Sequence, residues 1–204
     1  MGKNNSTCCL IFTKNPEPGK TKTRLIPAIG ETGAFEAHVK LLKHTVTITS
    51  EIKNIDFILY TTTTHSNEII VNLAKEHNLT IEIQKGNNLG DRMYQASDEN
   101  LSTYSHCIII GVDCPELTAD YLLNARKALS SGYDAVIGPA HDGGYVLIGF
   151  NKSVKTIFTN IAWGENTVLK STLDNFEKLN IKYKKLPTLH DVDTQEDLQY
   201  LNKI

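Results

Sequence analysis

Residues 107 to 115 read CIIIGVDCP, and the run IIIGV within this stretch is apolar without alternation. A strand with no polar side chains is buried on both faces, so it belongs in the middle of a mainly parallel sheet that is covered by helices. The run ends at Asp113, which is followed by Cys114 and Pro115. The stretch therefore predicts a central strand with a carboxylate at its carboxyl end.

Strand-like runs alternate with amphipathic stretches along the rest of the chain, as expected for parallel strands joined by crossover helices. The predicted strands are 8 to 13, 56 to 62, 80 to 84, 107 to 113, 134 to 140 and 145 to 150. The predicted helices are roughly 31 to 52, 66 to 77, 90 to 103, 118 to 130, 165 to 179 and 194 to 203. No repeat or linker divides the sequence, so we expect residues 1 to 204 to form a single α/β domain.

The alternation breaks once, in the stretch GPAHDGGYVLIGF at 138 to 150. The link HDGG between its two strand-like runs is too short for a helix, so it predicts a hairpin and an antiparallel element in a mostly parallel sheet. Asp142 precedes a glycine and suits a turn. A substrate contact or proton transfer by His141 or Asp142 is the alternative interpretation.

The composition describes an ordinary globular protein, with 40% hydrophobic residues, 22% charged residues and a net charge of −2. This balance does not favour a nucleic-acid partner. The sequence has neither an apolar run near the ~18 residues of a membrane span nor a secretory leader pattern, so we expect a cytoplasmic protein without a membrane partner. The 4 cysteines lack Cys-x-x-Cys spacing and are expected to be reduced.

A basic loop, FTKNPEPGKTKTRL at 12 to 25, follows the first predicted strand. Its GKT is not a P-loop, because Lys14 stands where the required second glycine would be. Gly19 and two prolines bend the loop, and its cations are Lys14, Lys20, Lys22 and Arg24. Such a loop at the end of a strand suits a diphosphate or triphosphate, and the alternative is a solvated surface loop.

Carboxylates at two places are candidate metal ligands. Asp113 lies at the end of a buried strand, where a partner must offset desolvation, and Mg²⁺ or Mn²⁺ commonly takes one or two carboxylates together with phosphates and water. Turn capping is the alternative for Asp113. In LHDVDT, Asp191 and Asp193 lie on the same side of an extended segment, where either could be a second ligand, and a solvated loop is the alternative. Thr194 and Asp197 predict a capping box at the start of the last helix.

Two further stretches offer groups for a ligand. In QKGNNLGDRM, Gly86 and Gly90 leave backbone groups free to contact a nucleobase, and Arg92 follows at the start of a helix. A plain turn would have a similar sequence. Trp163, the single tryptophan, could shape an acceptor pocket or belong to the core or its rim.

Taken in order, these stretches resemble the nucleotide-diphospho-sugar transferase superfamily, which has a glycosyltransferase-A-type fold. More narrowly, they are similar to a bacterial family of glycosyltransferase-like proteins assigned to arsenosugar or radical-SAM-associated pathways. The blocks that carry the resemblance are PEPGKTKTRL, GNNLGDRM, GVDCP, GPAHDGGY and DVDT, and with the first strand they span residues 8 to 198. The Asp-x-Asp of many glycosyltransferases is here Asp113-Cys114-Pro115, which leaves one carboxylate at that turn.

The resemblance implies a role for each motif residue. The implied phosphate and nucleotide contacts are Lys14, Gly19, Lys22, Arg24, Gly86, Gly90 and Arg92, the implied metal ligands are Asp113 and Asp193 with Asp191 beside them, and the implied acceptor residues are His141, Asp142 and Trp163. Lys22 and Arg24 would also stabilise the leaving group, and Asp142 is the candidate base.

The resemblance implies a Mg²⁺- or Mn²⁺-dependent glycosyltransferase that uses a nucleotide-diphospho-sugar donor and a small-molecule acceptor. One alternative is a guanylyltransferase-like nucleotidyltransferase that releases pyrophosphate from a nucleoside triphosphate, because such enzymes share the fold. A second alternative is a nucleotide-binding protein without turnover. A homo-oligomer is compatible with the sequence, which does not determine the oligomeric state.

Overall fold

Strands and helices alternate through residues 6–63 and 67–204, the part of the chain that the computed structural model describes. The strands are β1 (Thr7–Phe12), β2 (Asp56–Thr61), β3 (Thr80–Ile83), β4 (His106–Gly111), β5 (Ala135–Pro139), β6 (Tyr145–Phe150) and β7 (Tyr183–Lys185). The helices are α1 (Ile26–Ser50), α2 (Glu68–Glu76), α3 (Leu89–Leu101), α4 (Ala119–Ser130), α5 (Val168–Lys178) and α6 (Leu198–Leu201). Short 3₁₀ turns lie at Thr23–Leu25, Lys155–Phe158 and Gln195–Asp197.

The strands form one seven-stranded sheet in the order β3-β2-β1-β4-β6-β5-β7. Strands β1 to β4 pair in parallel, whereas β6 is antiparallel to both of its neighbours, β4 and β5. The predicted mixed, mostly parallel sheet and its hairpin are therefore confirmed. The chain moves from β1 to β2 and β3 on one side and places β4 on the other side, so the strand order reverses between β1 and β4. Ligands of open α/β sheets bind at such a reversal.

The core lies on both faces of the sheet. On one face Ile108 and Ile110 of β4 pack in a cluster with residues of α1, α2 and α4. On the other face Cys107 and Ile109 pack with residues of α3 and α5. Strand β4 is thus buried on both sides, as its uninterrupted apolar sequence predicts. All four cysteines are buried and free of disulfides.

The observed elements differ from the predicted ones mainly at chain reversals. Helix α1 begins at Ile26 rather than near residue 31, because it includes a kink at Gly30, where φ is +72°. Helix α2 begins at Glu68, and residue 66 of its predicted range lies outside the described residues. The last helix is shorter than predicted, since it opens with a 3₁₀ turn that has the predicted capping box of Thr194 and Asp197.

Strand β7 was not predicted. It has only three residues, and two of them, Lys184 and Lys185, are exposed. Short edge strands with lysines lack the apolar alternation that identifies longer strands. Within the described residues, none of the helices combines the length and the apolar character needed to cross a membrane.

Candidate active site

A cleft of about 510 Å³ opens where the carboxyl ends of β1 and β4 lie side by side. Its lining includes six of the predicted site residues: Lys14, Lys22, Arg24, Arg92, Asp113 and Asp193. The first three belong to the loop after β1, and Asp113 follows β4. The cleft therefore lies at the reversal of strand order, and the basic loop and the strand-end carboxylate meet there.

Lys22 is fixed inside this cleft. Its side chain is only 4% exposed, and its ammonium lies 2.7 Å from Asp113 Oδ1 and 3.8 Å from Asp193 Oδ1. The ammonium also donates a hydrogen bond to the backbone carbonyl of Val192. The backbone of Lys22 is left-handed, with φ 50° and ψ 41°. This conformation costs a residue other than glycine roughly 1–2 kcal/mol, and the other non-glycine residues with a positive φ in the described part of the chain are all asparagines.

Asp113 joins the end of β4 to the segment before the last helix. Its backbone carbonyl accepts a hydrogen bond from Val192 N–H at 2.8 Å. The carboxylate Oδ1 is buried without a well-directed hydrogen bond, so its 2.7 Å contact with Lys22 is an ion pair. Burial acts to raise the pKa of Asp113, but the nearby charge of Lys22 outweighs it and holds the pKa below its ordinary value. Asp113 therefore stays ionised beside the lysine.

A second ion pair lies at the mouth of the cleft. Arg24 Nη1 lies 2.8 Å from Asp193 Oδ2, and the arginine side chain is 64% exposed. The capping box holds Asp193 in place, because Asp197 Oδ2 accepts hydrogen bonds from the N–H groups of Asp193 at 3.1 Å and Thr194 at 2.7 Å. The predicted helix cap thus also positions a cleft carboxylate.

Two residues that sequence reasoning missed support the loop after β1. His38 Nε2 on α1 lies 3.3 Å from the carbonyl of Lys14 and 3.4 Å from Thr13 Oγ1, and burial lowers its pKa. Gln84 Nε2 donates to the carbonyls of Thr13 at 3.0 Å and Tyr60 at 2.9 Å. Side-chain bonds to distant backbone carbonyls leave no pattern in a sequence, so only a structure identifies these supports.

The hairpin between β5 and β6 lies beside the segment 189–191. His141 N–H donates to the Leu189 carbonyl at 3.1 Å, and the rings of His141 and His190 stack with centroids 3.8 Å apart. Asp142 makes the predicted turn, since its Oδ1 accepts from Gly144 N–H at 2.7 Å. Burial raises the pKa of Asp191 to about 6, and the neighbouring charge of Asp142 acts in the same direction. The charge of Asp113 also acts to raise this pKa, whereas that of Lys22 acts to lower it, so Asp191 interacts electrostatically with the cleft although it is not among the residues that line it.

Residues 45–165 match a family described as an uncharacterized protein conserved in bacteria, DUF2064. The chain belongs to the DUF2064 family. No curated protein matches its sequence. A candidate nucleotide-diphospho-sugar transferase from Desulfovibrio desulfuricans G20 is similar in structure, with 30% identity, a TM-score of 0.86, and 96% of this chain and 85% of that chain covered. This similarity confirms the resemblance to nucleotide-diphospho-sugar transferases and their fold.

More distant structures share the fold with the DUF2064 chain. A cytidylyltransferase from Leptospira borgpetersenii has 14% identity and a TM-score of 0.61, with 95% of this chain and 83% of that chain covered. Glucosyl-3-phosphoglycerate synthase from Mycobacterium tuberculosis, solved with Mn²⁺, UDP and glucosyl-3-phosphoglycerate, has 10% identity and a TM-score of 0.57 over 97% and 75% of the two chains. These neighbours are transferases, and at such identities the likeness concerns the fold alone.

Several predicted ligand contacts in the DUF2064 chain have packing roles. A Cβ atom on Gly90 would lie 2.7 Å from Cζ2 of Trp163, and one on Gly86 would lie 2.7 Å from Cβ of Asp91. Both glycines thus let loops approach the first turn of α3. Trp163 packs on Gly90 and on Phe158. Gly19 has a φ of +74° and bends the basic loop as predicted. The roles of these residues toward a nucleotide or an acceptor stay predictions.

The predicted metal ligands do not form a ready-made metal site. In residues 6–63 and 67–204 no group of three His, Cys, Asp or Glu side chains could hold a metal ion. Asp113 and Asp193 instead share the Lys22 ammonium, and Asp191 interacts electrostatically with both Asp142 and Asp113.

A network around Glu116 ties the last helix of the DUF2064 chain to the turn after β4. Glu116 Oε1 lies 2.6 Å from Lys203 Nζ, and Oε2 accepts from His190 N–H at 2.9 Å. Burial acts to raise the pKa of Glu116, but the bonds from Lys203 and His190 lower it to about 2. Glu116 comes three residues after Asp113, and His190 comes three residues before Asp193, so the network joins the two segments that carry the cleft carboxylates.

We expect Glu116→Gln to lower the free energy of unfolding at pH 7 by about 1–3 kcal/mol, because a charged hydrogen-bond partner is lost. A lowered pKa stabilises the fold above the unfolded pKa, near 4.5, and this stabilisation is lost as the pH falls towards about 2. The difference in the free energy of unfolding between Glu116→Gln and wild type should therefore shrink as the pH is lowered from 7 to 3. Urea denaturation at each pH measures it. Glu51→Gln on the exposed end of α1 is the control, and a pH-independent difference would contradict the role of the charge.

Proposed function

We propose that this protein transfers a glycosyl group from a nucleotide-diphospho-sugar to a small-molecule acceptor. The observation that carries the proposal is the cleft at the reversal of strand order, where Lys14, Arg24 and Arg92 line the same cavity as Asp113. A nucleoside diphosphate gains negative charge as it leaves, and fixed cations in a cleft stabilise that charge. The candidate nucleotide-diphospho-sugar transferase at 30% identity supports the same donor class.

The donor would lie with its phosphates on the basic loop. Lys14 and Arg24 are exposed enough to reach a diphosphate, whereas Lys22 is buried beneath them and fixes the local charge. Arg92, in the first turn of α3, lines the same cavity, and its Nε donates to the Gly86 carbonyl at 3.3 Å. We propose that the nucleoside lies towards Arg92 and Gly86.

The acceptor would approach from the hairpin side. Its hydroxyl oxygen attacks the anomeric carbon of the donor sugar and forms the new glycosidic bond. The bond from that carbon to the diphosphate oxygen breaks, and its electron pair leaves with the nucleoside diphosphate. Asp142 is the proposed base that takes the hydroxyl proton, because one of its oxygens makes the turn while the side chain stays exposed.

Nucleotidyl transfer is a second candidate, and the fold match to a cytidylyltransferase favours it. In that reaction an acceptor oxygen attacks the α-phosphorus of a nucleoside triphosphate and pyrophosphate leaves. The same cations would then stabilise pyrophosphate. The two reactions differ in the product released, so one assay can separate them.

We expect release of a nucleoside diphosphate when the protein is incubated with the matching UDP-, GDP- or dTDP-sugar and an acceptor mixture. A donor present at about 100 times its dissociation constant should also add about 2.7 kcal/mol of stability and raise the melting midpoint by several degrees. Chromatography of nucleotides and thermal unfolding measure the two effects.

Arg24→Ala should weaken donor binding about tenfold, because it removes a cation at the mouth of the cleft. Lys20→Ala is the matched control, since Lys20 belongs to the same loop but its side chain is 75% exposed and pairs with Glu17. Pyrophosphate release from one triphosphate would establish the second candidate instead. If no nucleotide is turned over and none shifts the melting midpoint, the proposed function is wrong.

A further inference from the structure

The cation between Asp113 and Asp193 is a side chain of the protein itself. Lys22 Nζ lies 2.7 Å from one carboxylate and 3.8 Å from the other, and it also bonds to the Val192 carbonyl. Its side chain is 4% exposed, whereas those of Asp113 and Asp193 are 47% and 37% exposed, so the ammonium is buried while both carboxylates stay partly open to solvent. The left-handed backbone of Lys22 shows that the loop is held in a costly conformation at this position.

A divalent cation bound by the oxygens that face Lys22, Asp113 Oδ1 and Asp193 Oδ1, would need the same space. Mg²⁺ binds oxygen at about 2.1 Å, and a carboxylate oxygen that already contacts an ammonium cannot also accept a metal ion without bringing two cations together. The charges are balanced without a metal, because Lys22 and Arg24 pair with Asp113 and Asp193. The four side chains therefore sum to zero charge, and Asp191, a further carboxylate that interacts electrostatically with Asp113, is not among the residues that line the cleft.

We infer that Lys22 takes the place of the divalent metal in this site, so that the donor is bound without one. The inference rests on the proposed function for the identity of the donor. The claim that Lys22 occupies the place of a divalent metal concerns the free protein, so it can be tested without any nucleotide. Of the remaining cations of the cleft, Lys14 and Arg24 then face the donor phosphates, and Arg92 lies towards the nucleoside.

The first test is a titration of the nucleotide-free protein with Mn²⁺. The paramagnetic resonance signal of free Mn²⁺ measures how much of the metal is bound. We expect wild type and the exposed-loop control Lys20→Met to show no saturable site up to millimolar metal. Lys22→Met should gain one saturable Mn²⁺ site. Methionine is close to lysine in volume but carries no charge, so the two carboxylates would face each other without a cation between them. The double variant with Asp113→Asn should lose that site again.

Each outcome of the Mn²⁺ titration decides the inference. A saturable site in wild type that Asp113→Asn removes would overturn it, and so would a folded Lys22→Met that gains no site. Circular dichroism checks folding, and Lys22→Gln replaces Lys22→Met if the latter does not fold.

The second test compares the affinity of the wild type for UDP, GDP and dTDP in EDTA and in Mn²⁺. We expect the two dissociation constants to agree within a factor of about three, and a tightening by Mn²⁺ of about tenfold or more would contradict the inference. If no nucleotide binds under either condition, the proposed function fails, while the Mn²⁺ titration still gives its own answer.

Discussion

Gly143→Ala should lower the free energy of unfolding by about 3 kcal/mol or more. Gly143 has a φ of +90°, where an L side chain costs roughly 1–2 kcal/mol. A Cβ atom there would also lie 2.1 Å from the backbone oxygen of Asn166, and relieving such an overlap typically costs another 1–3 kcal/mol or so. The loop cannot move freely, because the Gly143 carbonyl accepts the N–H of Leu169 at 2.9 Å near the start of α5.

Gly132→Ala provides the matched control. Gly132 has a φ of +89°, and an added Cβ would meet no atom within 4 Å. The control therefore contains the backbone cost without the overlap and should lose only about 1–2 kcal/mol. Urea denaturation of both variants measures the difference. Equal losses would mean that the hairpin and the loop at Asn166 separate at little cost.

We expect Asp113→Asn to lower turnover by a factor of about 10² to 10³, the range found when one preorganised electrostatic group is removed from a catalytic site. The amide keeps the shape of the carboxylate but not its charge. Lys22 then loses its closest ionic partner, at 2.7 Å, and the ammonium is free to shift in the cleft. Steady-state kinetics with the donor that the nucleotide-release assay identifies measure kcat and KM separately.

The exposed Asp98 on α3 supplies the control for this substitution, since Asp98→Asn changes the net charge equally outside the cleft. Asp98→Asn should keep turnover near the wild-type value. If Asp113→Asn keeps more than half of the wild-type turnover, Asp113 does not take part in the reaction, whatever the effect of the substitution on stability.

The sequence predicts the meeting of the basic loop and Asp113 for a clear physical reason. The apolar run before Asp113 identifies a central parallel strand, and the carboxyl ends of neighbouring parallel strands share one edge of the sheet. The hairpin also follows from sequence, because the HDGG link is too short for a crossover helix. These arguments need only periodicity and the length of connections.

Other parts of the site depend on tertiary contacts that no local pattern encodes. The bond from Lys22 to the Val192 carbonyl joins segments far apart in the chain, and its partner is a backbone group that every residue has. The same holds for the supports from His38 and Gln84. Gly86 and Gly90 suggest ligand contacts from sequence, whereas the structure shows that adjacent loops and Trp163 pack closely against them.

The position of Trp163 provides a spectroscopic probe of this region. It is the single tryptophan of the chain, and it packs against Gly90 beside Gly164, which lines the cleft. Indole emission from this protein therefore comes from one known place at the edge of the cavity. The wavelength and intensity of this emission depend on the polarity and mobility at that edge. Occupancy of the cleft can therefore be monitored by the intrinsic fluorescence of the unlabelled, unmodified chain.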